Sequence, residues 1–214
     1  MEVEVLTNIS ESLQRGDQHA VAELTRQAID SGLGAAEILD GGLLAGMDVI
    51  GERFGAHEIF LPDVLLAARA MKAGMDLIKP LLVAADVPAQ GTVVLGTVKG
   101  DVHDIGKNLV GIMLEGAGFS VVDLGTGVDP EVFADTALAE GASVVGLSAL
   151  LTTTMGGMRD VVDLIRRRDP DSRIRIIVGG APVSQDFADE IGADGYSYDA
   201  GSAVVLVKRL MGAA

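Results

Sequence analysis

Short apolar runs alternate with helical patterns over the second half of the chain, and this alternation limits the possible folds. Strands are predicted at about residues 92–98, 119–124, 143–148, 174–178 and 195–198. Helices are predicted between and after them, at about 105–117, 130–140, 157–168, 184–191 and 200–212. Such alternation indicates parallel βαβ units with right-handed crossovers. We therefore predict a flavodoxin-like or Rossmann-like five-stranded parallel sheet in the order 2-1-3-4-5, with a ligand over the ends of strands 1 and 3.

The first half of the chain has the period of helices instead. Four helices are predicted. The first covers about residues 2–15, the second follows the capping residue Asp17, the third covers about 43–54, and the fourth begins at Pro62. They are enough for a small bundle. We predict a helical bundle domain over 1–88, an α/β domain over 89–214, and a mobile linker near 84–91. The glycines at 41, 42, 46 and 51 lower helix propensity, or allow close packing of helices.

Charge and composition exclude several classes of partner. The net charge of −15 argues against nucleic acids and against anionic membrane surfaces. Cysteine is absent, so disulfides and thiolate metal sites are excluded. No secretory signal and no apolar run of about 18 residues is found, and we expect a cytoplasmic protein. Three consecutive arginines, at 166–168, are interpreted as a solvated helix end.

The turn after the first predicted strand carries the residues best suited to chemistry. The run Gly100-Asp101-Val102-His103-Asp104-Ile105-Gly106 lies between that strand and a helix, where open α/β sheets bind ligands. A carboxylate two residues before an imidazole is the arrangement that orients a metal-ligating histidine. The alternative is an ordinary surface or capping histidine.

Two other predicted strands end in polar or small residues. The third is followed by hydroxyl residues, with Ser148, Thr152 and Thr154 around Leu150. These hydroxyls could also simply cap the next helix. The fourth ends in Gly179-Gly180, which alone would indicate only a tight turn.

Together these segments resemble the corrinoid-binding (cobalamin-binding) family. The matching patterns are Asp-x-His-x-x-Gly at 101–106, Ser-x-Leu at 148–150 and Gly-Gly at 179–180. The first half, from Gly46 to Met71, is similar to the helical domain of methyl-transfer corrinoid proteins. The chain is most similar to the corrinoid proteins of methanol and methylamine methyltransferase systems, and to the cobalamin module of methionine synthase.

The resemblance implies a role for each matched residue. His103 would be the lower axial ligand of cobalt, Asp101 would accept its other ring N–H, and Thr154 would end the relay. The cofactor-binding residues implied are Gly100, Asp101, Val102, His103, Asp104, Gly106, Ser148, Leu150, Thr152, Gly179, Gly180 and Ala200. Those on the third and fourth strands would take the nucleotide tail of the corrinoid.

The resemblance also implies a methyl carrier whose cobalt cycles between Co(I) and methyl-Co(III). Its partners would be a substrate:corrinoid methyltransferase, a corrinoid:tetrahydrofolate or corrinoid:thiol methyltransferase, and a reductive activase, while the helical half shields the methyl group. The alternatives are a cobalamin-dependent sensor or regulator, the small domain of an adenosylcobalamin mutase, and a flavodoxin-like module that binds no corrin. The sequence names neither the methyl donor nor the acceptor.

Overall fold

The computed structural model describes residues 2–85 and 89–212. The chain forms two compact units, Met1–Ala89 with Gly116–Gly118, and Gln90–Glu115 with Phe119–Ala214. The predicted linker at 84–91 includes residues 86–88, which lie outside the described residues. The domain boundary at 88/89 stays a prediction.

The first unit is helical, as predicted. Its elements are α1 (Glu2–Gln14), α2 (Gln18–Asp30), α3 (Ala35–Ile38), a π-helical segment (Leu39–Leu44), α4 (Ala45–Gly55) and α5 (Leu61–Ala84). Asp17 caps α2 as expected, because its side chain accepts a hydrogen bond from the amide of Ala20. The predicted third helix begins earlier than the pattern indicated, since α3, the π-helical segment and α4 follow one another without a break.

Glycines allow close approach between the π-helical region and α1. A Cβ atom at Gly42 would lie 3.1 Å from Cγ2 of Ile9, and one at Gly46 would lie 3.0 Å from the carbonyl oxygen of Ser10. The alternative of close packing is therefore confirmed at these two positions, and it offsets the lower helix propensity of glycine.

The second unit contains the predicted parallel sheet, in the order β2-β1-β3-β4-β5. Its strands are β1 (Thr92–Thr97), β2 (Ser120–Asp123), β3 (Val144–Ser148), β4 (Arg175–Gly179) and β5 (Gly195–Ser197). Its helices are α6 (Ile105–Gly116), α7 (Pro130–Ala139), α8 (Gly156–Arg168), α9 (Gln185–Ile191) and α10 (Ala200–Leu210). The three central strands β1, β3 and β4 are nearly continuous in apolar residues because both faces of such a sheet are covered.

The main core of this unit lies on one face of the sheet. Phe133 of α7 and Met158 of α8 are fully buried there against Val94, Val145 and Ile176 of the strands. On the opposite face, a Cβ atom at Gly111 of α6 would lie 3.4 Å from Leu95, so α6 packs there. The two covered faces leave the carboxyl ends of the strands as the open edge of the unit.

Candidate functional site

The turn between β1 and α6 holds Asp101 in a fixed position. Gly100 has a φ of +84°, which lets the chain reverse after the strand. The amide of Asp101 donates to the carbonyl of Val98 at 3.1 Å. The Asp101 side chain is consequently inaccessible to solvent, although an isolated buried carboxylate is unfavourable.

Five donors surround that carboxylate. Oδ1 accepts hydrogen bonds from the amide of His103 at 3.1 Å and from its ring Nδ1 at 2.7 Å. Oδ2 accepts from the amides of Leu150 at 2.8 Å and Leu151 at 3.2 Å, and from Oγ1 of Thr154 at 2.8 Å. The three residues predicted to form the relay, Asp101, His103 and Thr154, are thus in contact across β1 and β3.

These donors control the ionisation of Asp101. Burial alone would raise its pKa, but the hydrogen bonds from the His103 ring, from the amides of Leu150 and His103, and from Thr154 outweigh it. The pKa of Asp101 therefore lies well below its usual range. An ionised carboxylate accepts hydrogen bonds and cannot donate them, so Nδ1 of His103 carries the hydrogen and a neutral ring leaves Nε2 as a lone pair.

The position of His103 is fixed from a second side by a residue that the sequence analysis missed. Thr97, the last residue of β1, donates from Oγ1 to the carbonyl oxygen of His103 at 2.9 Å. Thr97 is fully buried, whereas the His103 side chain is 45% exposed. A hydroxyl at the end of a strand that precedes the motif was the available signal. The imidazole is held by its backbone and by Nδ1, while its remaining edge stays accessible.

A buried lysine was also missed. The Lys107 side chain is only 3% exposed, and its Nζ donates to both carboxylate oxygens of Asp123 at 2.6 Å. Asp123 ends β2 and also accepts from the amide of Gly125 at 2.9 Å. This ion pair connects the first turn of α6 to the end of β2, next to the turn that carries His103. A lysine one residue after Gly106 was visible in the sequence, but its partner lies 16 residues away.

The other predicted residues lie in three places. Gly100, Val102, Asp104 and Gly106 belong to the turn itself, and Val102 is 75% exposed. Leu150 and Thr152 follow β3 and are exposed. Ser148, Gly179 and Gly180 lie where β3 and β4 end. Ala200 begins α10, which follows β5, and β5 is the third strand from β1 in the sheet.

The residues present are suited to a corrinoid. A neutral imidazole held at Nδ1 presents one nitrogen to a metal. Gly180 has a φ of +134°, and a Cβ atom there would lie 1.8 Å from the carbonyl oxygen of Ala149. A Cβ atom at Gly179 would lie 3.1 Å from the carbonyl oxygen of Ser197. Gly180 therefore packs directly on the backbone after β3, whereas only atoms of Ser197 lie within 4 Å of the place that a Gly179 side chain would take. The end of β4 thus offers bare backbone to a flat group.

Known proteins define the class to which this fold and site belong. The family description "B12 binding domain" matches residues 91–205, and a second B12 binding domain matches residues 5–79. A corrinoid protein of Desulfitobacterium hafniense (strain Y51) is 39% identical over 99% of this chain and 100% of its own length. Trimethylamine corrinoid protein 2 of Methanosarcina mazei is 40% identical over 97% of this chain and 96% of its own.

Solved structures agree with these relatives. The methanol:cobalamin methyltransferase complex MtaBC from Methanosarcina barkeri contains a chain with a TM-score of 0.87 and 32% identity, covering 99% of this chain and 81% of that one. A cobalamin-binding protein from D. hafniense DCB-2 has a TM-score of 0.80 and 31% identity, covering 96% and 98%.

The class is that of cobalamin-binding proteins with a helical unit before a Rossmann-like unit. Within this class, the chain belongs to the B12-binding family and is a corrinoid protein of the kind found in methyltransferase systems. Its cofactor is a corrinoid of the cobalamin type. The alternative of a module that binds no corrin is therefore wrong. Among the described residues, no helix is long and apolar enough to cross a membrane.

Proposed function

We propose that this chain is a methyl carrier in which Nε2 of His103 is the lower axial ligand of the corrinoid cobalt. The observation that carries the proposal is the contact of Asp101 with the ring Nδ1 of His103 at 2.7 Å. This contact fixes the tautomer in which Nε2 has a free lone pair. It does so at the open edge of the sheet, where the ring is half-exposed.

The residues that would hold the corrinoid are grouped around His103. We assign the turn 100–106 to the macrocycle and Thr152 to a further contact with the cofactor. The residues assigned to the nucleotide tail are Ser148, Leu150, Gly179, Gly180 and Ala200. When bound, the corrinoid supplies a nucleophilic cobalt that alternately accepts and releases a methyl group. The protein supplies binding, orientation and control of the axial ligand.

The hydrogen bonds around Asp101 couple ligation to proton uptake at His103. While Nε2 acts as a ligand, Oδ1 of Asp101 holds the Nδ1–H hydrogen, and Oγ1 of Thr154 donates to Oδ2. When Nε2 is released it can take up a proton, and the resulting imidazolium remains paired with the Asp101 carboxylate. Metal ligation and protonation of one imidazole nitrogen exclude each other, so the same contact serves both states.

Two methyltransferases and a reductase are the proposed partners. A substrate:corrinoid methyltransferase would load the methyl group, and a corrinoid:tetrahydrofolate or corrinoid:thiol methyltransferase would remove it. A reductive activase would restore oxidised cofactor. Similarity to the methanol:cobalamin methyltransferase complex of M. barkeri and to the trimethylamine corrinoid protein of M. mazei supports the first of these. We further propose a cytoplasmic location and domains at 1–88 and 89–214.

The direct test is an absorption spectrum of the protein after incubation with methylcobalamin and desalting. The wild type is compared with His103→Ala and with His19→Ala, which removes an exposed histidine of α2. We expect wild type and His19→Ala to show the same histidine-dependent spectrum, and His103→Ala to lose it. Identical spectra in all three proteins would refute His103 as the ligand. Absence of retained corrinoid in the folded wild type would refute the carrier role.

A further inference from the structure

Ser197, the last residue of β5, was assigned no role by the sequence motifs. The residue is only 7% exposed, and its hydroxyl has no hydrogen-bond partner among residues 2–85 and 89–212. Among the described residues, the fully buried side-chain polar atom without a partner is Oγ1 of Thr25, so the Ser197 hydroxyl keeps part of the small exposure of its residue. It can therefore form a hydrogen bond with a group that binds at this end of the sheet.

Strand register places Ser197 in a row with three other residues at the open edge of the sheet. Thr97 pairs with Ser148, Ser148 pairs with Gly179, and Gly179 pairs with Ser197. Residues in register share one face of a sheet. This polar row therefore consists of three hydroxyl residues and one glycine, all on the same face.

The members of the polar row differ in what they contact. Oγ1 of Thr97 already donates a hydrogen bond to the carbonyl oxygen of His103. The hydroxyl of Ser148, like that of Ser197, makes no hydrogen bond within the described part of the chain. Gly179 separates these two free hydroxyls, and a Cβ atom there would lie 3.4 Å from Oγ of Ser197. The missing side chain leaves space beside the Ser197 hydroxyl.

The last helix borders the same face. A Cβ atom at Gly195, two residues before Ser197, would lie 2.8 Å from Cδ1 of Leu206 in α10. Alternate residues of a strand point to the same side, so Ser197 also lies on the face that α10 covers. The space above Gly179 is thus bounded by a hydroxyl on each side and by the sheet beneath.

We infer that Ser197 is a specificity-determining residue that recognises the far edge of the corrinoid's lower base. This inference rests on the proposed function and extends it to the choice of cofactor. Two inter-strand steps separate Ser148 from Ser197 by about 10 Å, and two hydrogen bonds along the row would take up about 2.8 Å each. The base between them should therefore carry polar atoms on opposite edges, about 4 Å apart.

This requirement distinguishes classes of corrinoid. A purine such as adenine has ring nitrogens on opposite edges and can satisfy both Ser148 and Ser197. Dimethylbenzimidazole has one free ring nitrogen, and its opposite edge carries two methyl groups, so only one hydroxyl can be satisfied. We expect the protein to bind a corrinoid with an adenine lower base more tightly than cobalamin.

The test compares three corrinoids in the aquo form: one with an adenine base, cobalamin with dimethylbenzimidazole, and cobinamide without a nucleotide. Dissociation constants come from absorbance titrations of the full chain. We expect the wild type to prefer the adenine form roughly tenfold, the effect of one hydrogen bond. In Ser197→Ala this preference should disappear, while cobinamide binding stays unchanged.

Two control variants make the result specific. Ser143→Ala removes a serine beside Gly91 at the opposite end of β3, and should keep the wild-type preference. Ser148→Ala should weaken both base-containing corrinoids alike. A wild type without preference, or a Ser197→Ala variant that weakens both alike, would overturn the inference but not the carrier role. Cobinamide binding without a His103-dependent spectrum would instead refute the proposed function.

Discussion

Asp101 and Asp194 are two largely buried carboxylates of the α/β unit, and they lie at opposite ends of the strands of the same sheet. Asp101 follows β1 at the carboxyl ends of the strands, and Asp194 immediately precedes β5 at the amino ends. Oδ2 of Asp194 accepts from Arg166 and from the amide of Ile176, both at 2.6 Å. Its Oδ1 accepts from Arg175 at 3.3 Å.

The two networks differ in where they end. Every contact of Asp194 joins one element of the fold to another, since Arg166 belongs to α8 and Ile176 to β4. The Asp101 network includes equivalent contacts to the segment after β3, but it ends on a half-exposed imidazole that has a second nitrogen. Burial and hydrogen bonding alone therefore do not indicate function. Function is indicated instead when the last group of a network, here the His103 ring, still has a nitrogen that can bind a ligand.

The comparison is tested most strongly by Asp194→Ala. The change leaves the Arg166 guanidinium and the amide of Ile176 without their acceptor, so we expect the free energy of unfolding to fall by about 2 to 3 kcal/mol. Urea denaturation of the protein without corrinoid measures the loss. The His103-dependent spectrum of the surviving folded protein should not change. A spectral change would show that the two networks are coupled.

Asp101→Asn should have a smaller effect on stability and a larger one on the cofactor. The amide keeps the shape of the side chain but places an N–H₂ group where an acceptor is needed, which should cost about 2 kcal/mol. If the amide N–H₂ faces Nδ1 of His103, the ring hydrogen moves to Nε2 and the lone pair is lost. Reduced His103-dependent absorbance with methylcobalamin is the expected result. Wild-type absorbance would argue that Asp101 does not set the tautomer.

The lowered pKa of Asp101 predicts a pH dependence of stability. Its folded pKa lies below the unfolded value of about 3.9, so its contribution is present above that pH and is lost as the pH falls. Between pH 7 and pH 3 the wild type should lose about 1 kcal/mol more than Asp101→Asn, because only the wild type has this group to protonate. Parallel curves for the two proteins would contradict the shift.

The sheet and the main contacts of the site could be predicted from the sequence because their signals are local. Apolar runs separated by helical patterns specify parallel strands, and the strand order brings the residues after β1 and β3 together. The contact of Asp101 with Thr154, 53 residues apart, follows from that order together with the resemblance. The two amides that bond Oδ2 carry no side-chain signal and could not be predicted.

Pairings between distant charged residues could not be predicted either. Arg166 lies at the end of α8 as predicted, but its side chain is only 25% exposed and is paired, so the prediction of a solvated residue was wrong for Arg166. It donates to the carbonyl oxygen of Ile174 at 3.0 Å as well as to Asp194. Lys107 likewise gave no local sign of its partner Asp123. A charged residue in a sequence has many possible partners. The partner of Arg166 is selected by the packing of α8 against β4, and that of Lys107 by the position of α6 beside β2.

The smallest expected effect on stability, His103→Ala, separates the two networks most clearly. The ring is half-exposed, but it is a donor to a buried carboxylate, so its removal should lower the free energy of unfolding by about 1 kcal/mol. Asp101 would keep the amides of Leu150, Leu151 and His103 as donors. Urea denaturation without corrinoid measures this, with His19→Ala as the matched control. A loss comparable to that of Asp194→Ala would mean that His103 is a structural residue, and that the accessible nitrogen has no special role. A loss of about 1 kcal/mol or less, together with a lost spectrum, would mean that the main role of this histidine is to bind the cofactor.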